Sequence, residues 1–208
     1  MSELVLYRHP LSGHSHRAEL MLSLLGLDAE IIDVDLKAGA HKQPEFLQKN
    51  AFGQVPVLTD GDVIIADSNA ILFYLVSQYD AEGSWLPTDL VQAAEVQRYL
   101  SVAAGPVANG PAAARLINVF GAALDHQRAK DIANGLFNVL EQRLTAAEWL
   151  VGDHATIADV ANYAYIAHAP EGDISLAEYP AISAWLERIE SLPGFIPMVT
   201  TPVGLLAG

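Results

Sequence analysis

The stretch GQVPVLTDGDVIIADSNAILF, residues 53–73, holds two β-rich runs, a turn signal between them and the beginning of a helix. An Asp-Gly pair between two β-rich runs favours a tight hairpin, so we predict strands over Val55–Leu58 and Val63–Ala66. Apolar residues at helical spacing then predict a helix over Ser68–Gln78. This part of the chain therefore predicts a ββα unit.

The residues before this stretch alternate between strand and helix patterns. Short apolar runs predict strands over Leu4–Tyr7 and Ile31–Val34. Between them, Arg17–Leu25 repeats apolar residues at helical spacing, and the following Gly26 is typical of a helix end. The predicted order before residue 80 is thus βαβ, a loop or short helix, and ββα.

The rest of the chain shows no convincing strand pattern. Ala- and Leu-rich runs at helical spacing, the first interrupted by prolines and glycine at 106, 110 and 111, predict helices over Asp89–Val107, Asn118–Leu144, Thr156–Ala167 and Ala177–Ser191. We therefore predict an α/β domain over residues 1–80, a linker over 81–87 and an all-helical domain over 88–208.

The segment Thr156-Ile157-Ala158-Asp159 has the pattern of an N-terminal capping box. The Thr156 hydroxyl is expected to accept a hydrogen bond from the Asp159 N–H, and the Asp159 carboxylate one from the Thr156 N–H. We interpret this motif as a folding signal of the helical domain rather than as a chemical site.

Composition argues against several functions. The chain of 208 residues has 11 Lys and Arg against 25 Asp and Glu, a net charge of −14, which opposes binding to nucleic-acid phosphates and to anionic membrane surfaces. With 0 Cys it has no disulfide, thiolate metal site or cysteine nucleophile. We see no signal-peptide pattern and no apolar run of membrane-spanning length. We therefore expect a cytoplasmic protein that binds neither nucleic acid nor membranes.

Three clusters contain residue types suited to binding an anion. The first is the turn PLSGHSHR, residues 10–17, between the first predicted strand and helix. Such a turn presents free backbone N–H groups and the positive end of the helix dipole, and its serines can donate hydrogen bonds. The alternative is that Ser12 or Ser15 only caps the helix. The histidines His14 and His16 show no metal-ligand spacing, so we predict no metal site.

The second cluster is Gln54-Val55-Pro56-Val57. A proline at the start of a strand cannot donate to the ladder, and a cis Val55–Pro56 bond is one arrangement that turns the chain there. That arrangement leaves the N–H and C=O of Val55 able to pair with an extended ligand, as an added strand does.

The third cluster is Asp67-Ser68-Asn69, just before the predicted helix. A serine at a helix N-terminus can bind a ligand carboxylate through its hydroxyl and backbone N–H, and the neighbouring Asp67 can bind an ammonium group. Together they match the end group of an amino acid. The alternative is that Asp67 or Ser68 is only the N-cap.

Taken together, these motifs resemble the glutathione S-transferase family over essentially the whole chain. The resemblance rests on Tyr7 with the Pro10-Leu11-Ser12 turn, on GQVPVL at 53–58, on DSNAI at 67–71 and on TIADV at 156–160. It implies a thioredoxin-like N-terminal domain of βαβ-α-ββα order, an all-helical C-terminal domain, a homodimer and a cis Pro56. It also implies glutathione as the co-substrate.

The resemblance implies a set of glutathione-binding residues, position by position. Val55 would pair its backbone with the cysteinyl part, Asp67 and Ser68 would hold the γ-glutamyl end, and the remaining residues would lie toward the glycine end. Taken alone, His41-Lys42 is also consistent with a solvated surface pair. The full set is His41, Lys42, Gln54, Val55, Pro56, Asp67 and Ser68.

The residue that activates the thiol stays open among three. Classes of the family use Tyr, Ser or Cys; Cys is absent, and Tyr7, followed by Arg8 inside the predicted strand, is expected to pack. Serine classes place the hydroxyl in the strand-to-helix turn, which favours Ser12, with His14 and Ser15 as alternatives. The turn is one residue longer than the common serine-type pattern.

The implied reaction is attack of the glutathione thiolate on a hydrophobic electrophile. A hydroxyl donor and a helix N-terminus both stabilise the thiolate more than the neutral thiol. The electrophile pocket is expected between the two domains, lined by Leu11, Ala104, Ala108, Asn109 and Ala112. The alternatives are a glutathione-dependent peroxidase, isomerase or dehalogenase on the same scaffold, or a non-catalytic binding protein with this fold.

Overall fold

The computed structural model describes residues 4–207, which divide into two compact units. The first unit comprises residues 4–83 and 193–199, and the second comprises residues 84–192 and 200–207. The first contains a sheet covered by helices and the second is helical. The fold class predicted from the sequence is confirmed.

A four-stranded mixed sheet in the order β2-β1-β3-β4 lies at the centre of the first unit. Its strands are β1 at Leu4–Arg8, β2 at Glu30–Asp33, β3 at Val57–Asp60 and β4 at Val63–Ala66. Strand β1 pairs parallel with β2 and antiparallel with β3, which pairs antiparallel with β4. Because Asp60 pairs with Val63 across a two-residue loop, the predicted hairpin is confirmed.

Three helices belong to the first unit: α1 at Gly13–Leu24, α2 at Pro44–Leu47 and α3 at Ser68–Tyr79, with a 3₁₀ turn at Ala40–Lys42. Helix α1 begins earlier than predicted because the Ser12 side chain caps its first turn. Strand β3 begins at Val57, two residues later than predicted, because Pro56 has no N–H to donate to the ladder.

The two faces of the sheet are covered by different groups. On one face, α1 packs against α3 and against β1, and Leu6, Leu20 and Leu72 of these elements are fully buried. Each such side chain contributes about 1.5–3 kcal/mol of stability. On the other face, Phe46 of α2 packs with Val57 and, edge to face, with Tyr7. Tyr7 therefore packs, as predicted.

The segment 193–199 returns to the first unit and is held along α1. The Ser23 hydroxyl donates to the Gly194 carbonyl over 2.6 Å, and His16 Nε2 donates to the Ile196 carbonyl over 2.9 Å. Gly194 has φ +86°, and a Cβ there would lie 2.7 Å from the Ser23 carbonyl oxygen. Only glycine allows this approach without displacement.

The second unit is built from helices throughout. Helix α4 runs over Leu90–Val102 and continues as a π-helical segment, Ala103–Ala112, into α5 at Ala113–Phe120. Then follow α6 at His126–Ala146, α7 at Ile157–Ala167 and α8 at Pro180–Glu190, with 3₁₀ turns at Ala169–Gly172 and Gly204–Leu206. Across the described range 4–207, every helix is too short or too polar to cross a bilayer.

Two predicted helix boundaries in this unit are wrong. The interruption expected at Pro106, Gly110 and Pro111 is absent, because the chain widens to π-helical turns there and stays helical. The single helix predicted over Asn118–Leu144 is two helices. Gly121, at φ +67°, ends the first, and the Asp125 side chain begins the second by accepting from the Arg128 N–H over 3.0 Å.

The capping box predicted at the start of α7 is confirmed. The Asp159 carboxylate accepts from the Thr156 N–H over 2.9 Å, from the Leu150 N–H over 3.1 Å and from the Trp185 indole N–H over 2.9 Å. Burial raises the pKa of the Asp159 carboxyl, and these hydrogen bonds oppose the rise. The carboxylate thus joins α7 to α8 and to the loop before α7.

Candidate functional site

The three clusters predicted from the sequence lie at one end of the strands of the four-stranded sheet. Tyr7 near the end of β1 pairs with Val57 at the start of β3, so Pro56 lies beside the turn between β1 and α1. Val57 also pairs with Ala66, the last residue of β4, so Asp67 follows at the same end of the sheet. The site is therefore assembled by strand register, with the N-termini of α1 and α3 at its border.

Ser12 is the N-cap of α1, as one sequence interpretation had it. Its Oγ accepts a hydrogen bond from the Ser15 N–H over 3.2 Å. Capping uses one acceptor position of the hydroxyl oxygen. The hydroxyl proton is donated to no other residue within 4–207, so it is available to a ligand. The side chain is half-buried. Capping and donation to a ligand are thus compatible roles.

The two alternative residues in this turn have different surroundings. Ser15 is 1% exposed and its Oγ accepts from the His9 N–H over 3.2 Å, so it lies beneath the surface. His14 is half-buried, and its Nδ1 accepts from Arg17 Nη1 over 2.9 Å. Burial, and then the Arg17 charge, lower the pKa of His14 to about 3. His14 is therefore a neutral imidazole at neutral pH.

The Val55–Pro56 peptide bond is cis, in agreement with the sequence analysis. Neither the N–H nor the C=O of Val55 is hydrogen-bonded to another residue within 4–207. The preceding loop is held by Asn50, whose Nδ2 donates to the Gln54 carbonyl over 2.8 Å and whose Oδ1 accepts from the Phe52 N–H. The Val55 backbone is thus presented with its hydrogen-bonding groups open.

His41 and Lys42 are more than a solvated surface pair. Lys42 Nζ donates to the carbonyls of Phe52 and Gly53 over 3.2 and 3.0 Å. Gly53 has φ +56°, and a Cβ there would lie 2.7 Å from the His41 carbonyl oxygen, so the two loops are in close contact. The His41 Nδ1 is buried and makes no hydrogen bond within the described residues.

Asp67 is the N-cap of α3, and its Oδ1 accepts from the N–H groups of Asn69 and Ala70 over 2.9 and 3.0 Å. Its φ of +78° is unusual for a residue other than glycine, and such strained residues concentrate at functional sites. The second carboxylate oxygen, Oδ2, makes no hydrogen bond within residues 4–207. Ser68, the first residue of α3, is buried beside it.

The sequence places Arg17 in the first cluster without indicating a role for it, and the structure shows that it connects two of the clusters. Arg17 is 1% exposed, and its Nη1 donates to His14 Nδ1 over 2.9 Å and to Ser68 Oγ over 3.2 Å. The only signal in the sequence was a charged residue on the apolar face of a predicted helix. Its partner Ser68 is 51 residues away, so the pairing is not visible in local patterns.

Family models match both parts of the chain. The glutathione S-transferase N-terminal domain matches residues 2–77, and the C-terminal domain of the same family matches residues 120–193. The chain belongs to the glutathione S-transferase family. The resemblance proposed from the sequence motifs is therefore confirmed.

Individual members of the glutathione S-transferase family match over nearly the full length. Glutathione S-transferase 3 of Zea mays is 37% identical over 207 residues, covering 94% of this chain and 92% of the maize protein. A glutathione S-transferase structure from Pseudomonas fluorescens superposes with TM-score 0.89 at 32% identity, over 95% of this chain and 99% of that one. A glutathione transferase homologue from Drosophila mojavensis, solved with bound glutathione, gives TM-score 0.85 at 32% identity over 93% and 90% of the two chains.

The residues predicted to line the electrophile pocket have unequal exposure. Leu11 lies in the turn before α1 and is half-buried. Ala104 and Asn109 are exposed and Ala108 is half-buried, all on the π-helical segment, whereas Ala112 is buried at 6% exposure. Asn109 Nδ2 donates to the Gly105 carbonyl of its own segment over 2.9 Å. Ala112 therefore offers the least surface to a ligand.

Proposed function

We propose that this family member is a glutathione S-transferase that activates the thiol of bound glutathione as a thiolate for attack on a hydrophobic electrophile. The observation that carries the proposal is Ser12, whose hydroxyl caps α1 and keeps its proton for donation. The relatives named as glutathione S-transferases support the same activity. Glutathione serves as co-substrate and supplies the sulfur that a chain with 0 Cys lacks.

The proposed activation is a modest electrostatic effect. A free thiol has a pKa of about 8.5, so only a few per cent is thiolate near neutral pH. Lowering that pKa by about two units requires about 2.7 kcal/mol of preferential stabilisation of the anion. A hydrogen bond from Ser12 and the positive end of α1 both favour the thiolate and together reach this magnitude.

We assign glutathione to the three clusters by its chemistry. The open N–H and C=O of Val55 suit the backbone of the cysteinyl residue. Asp67, with Oδ2 unused, suits the γ-glutamyl ammonium group, and the hydroxyl and N–H of Ser68 suit its carboxylate. His41 and Lys42 are assigned to the glycine end, together with Gln54. Leu11, in the turn that carries Ser12, is assigned to the electrophile.

The most direct test of the proposed activity is a binding titration followed by an assay panel. Calorimetry should detect glutathione binding, and immobilised glutathione should retain the protein. Among aryl halides, hydroperoxides, isomerisable substrates and haloalkanes, conjugation of an aryl halide should dominate. Absence of binding would contradict the proposal, and dominant peroxidase, isomerase or dehalogenase turnover would favour those alternatives. Binding without turnover on any member of the panel would favour a non-catalytic binding protein.

We further propose that the protein is a homodimer. In the first unit, Phe52 is 82% exposed, and β4, an edge strand of the sheet, exposes Val63 and Ile64. In the second unit, Leu90 at the start of α4 is 84% exposed. Exposed apolar groups of this kind are typical of association surfaces. In a symmetric dimer, the same apolar groups of both subunits are buried together.

Sedimentation should give a mass twice the 22.3 kDa of the chain. The variant Phe52→Glu is expected to sediment as a monomer, because the charge must be desolvated at the interface. Val139→Glu, at an exposed apolar position on α6, is the matched control and should remain dimeric. A monomeric wild type, or an equal response of both variants, would contradict the proposed interface.

A further inference from the structure

A buried cation lies beneath the proposed glutathione site. Arg17 is among the largest fully buried side chains of the chain, at 1% exposure. Burying a guanidinium costs several kcal/mol unless neighbouring groups hold it. Two of the groups that hold it are neutral acceptors, His14 Nδ1 at 2.9 Å and Ser68 Oγ at 3.2 Å. One nitrogen, Nη1, makes both bonds, which its two hydrogens allow.

These two bonds determine where the neighbouring protons lie. A guanidinium only donates, so His14 Nδ1 must be the acceptor, and the proton of this imidazole is on Nε2. Ser68 Oγ also accepts from Arg17, and the lone pair of Nδ1, 3.4 Å from Ser68 Oγ, is already engaged by Arg17. Arg17 makes the shorter contact with Nδ1, 2.9 Å against 3.4 Å, so the Ser68 hydroxyl is held only weakly by His14 and its proton is available to a ligand. A hydroxyl that accepts from a cation is also polarised as a donor.

We propose that Arg17 is a positioning residue for glutathione, which orients the Ser68 hydroxyl as a donor to the γ-glutamyl carboxylate and holds His14 in the Nε2–H tautomer. The proposal rests on the proposed function, since it takes glutathione as the ligand. Arg17 is buried and acts through Ser68, so it does not touch the substrate. It connects the turn that carries Ser12 to the turn that carries Ser68 within the first unit.

A double-mutant cycle on glutathione binding tests the coupling. Arg17→Gln and Ser68→Ala are each expected to raise the Kd for glutathione by about ten-fold, the scale of one charge-assisted hydrogen bond. Because Arg17 acts through Ser68, the two effects should not multiply. The Kd of the double variant for glutathione should be only about two-fold higher than that of the single variant with the higher Kd. A Kd of the double variant equal to the product of the two single effects would overturn the proposal. Arg128→Gln, an exposed arginine of the second unit, controls for the change in net charge and should leave the Kd unchanged.

A second measurement, on the protein without glutathione, tests the tautomer of His14 directly. Nitrogen-15 NMR of the His14 ring in the wild-type protein at neutral pH should show a single neutral tautomer with the proton on Nε2. Arg17→Lys, which keeps the charge but not the planar fork, should shift the ring toward a mixture of tautomers. A proton on Nδ1 in the wild type would overturn the role of Arg17. If the tautomer is as expected and the wild type does not bind glutathione, the proposed function fails instead.

Discussion

Replacing Ser12 with alanine is expected to lower kcat for aryl halide conjugation by about ten-fold or more. A hydrogen bond to a charged acceptor contributes about 1.5–3 kcal/mol, and each 1.36 kcal/mol of barrier is about a factor of ten in rate. The KM for glutathione should change less, because Val55, Asp67 and Ser68 retain the proposed contacts to the tripeptide. Steady-state kinetics over a pH series checks both parameters.

Controls separate the loss of the hydroxyl from the loss of the helix cap. Removing an N-cap serine costs about 0.5–2 kcal/mol of stability, so thermal unfolding is measured alongside turnover. Ser12→Thr keeps both the hydroxyl and the cap and should retain most of the activity. Ser191→Ala replaces an exposed serine whose hydroxyl bonds only within its own helix turn, and it should leave turnover and thermal unfolding unchanged. Unchanged turnover in Ser12→Ala, with loss in a His14 or Ser15 variant, would reassign the role.

Replacing Asp159 with alanine is expected to cost about 3–5 kcal/mol of unfolding free energy. The carboxylate is 0% exposed and accepts from the N–H groups of Thr156, Leu150 and Trp185. Each buried donor that loses its partner costs about 1–3 kcal/mol, and these three lie in a part of the core that water does not reach. Urea unfolding followed by tryptophan fluorescence should show a lower midpoint with an unchanged slope.

Glu178→Ala provides the comparison for this variant, because Glu178 is an exposed carboxylate of the same unit. Its midpoint of unfolding should match that of the wild type. Equal midpoints for the Asp159 and Glu178 variants would contradict the role assigned to the capping box.

Local features of the fold were predictable because a few neighbouring residues encode them. The Asp-Gly pair determines the hairpin between β3 and β4, and Gly26, at φ +64°, terminates α1 as expected. Thr156 and Asp159 are three residues apart, which is the spacing a capping box requires. In each case the physics involves one turn of backbone, so periodicity and turn chemistry suffice.

The helix boundaries that the sequence predicts wrongly depend on packing between residues far apart in the chain. Pro106 and Pro111 would end an isolated α-helix, but the segment stays helical by adopting wider turns. Gly110 lies against α6, where a Cβ would approach the Ala133 backbone nitrogen to 2.9 Å. Contact with α6 therefore favours a continuous segment that local propensity alone disfavours.

The candidate site was predictable in residue type and only partly in geometry. The family resemblance implies the cis Pro56, whereas the sequence alone does not decide between capping and ligand binding for Ser12 and Asp67. The contact of Arg17 with Ser68 joins positions 51 residues apart, and the bond from His16 to Ile196 joins positions 180 apart. Such pairs follow from tertiary packing, which spacing in one sequence does not contain.

The pKa of the bound thiol is the measurement closest to the central claim. Ultraviolet difference spectroscopy of the glutathione complex over a pH series reports the thiolate directly. We predict a pKa about two units below the free value of about 8.5, and a smaller lowering in Ser12→Ala. A bound thiol that titrates at the free value in the wild type would contradict the account.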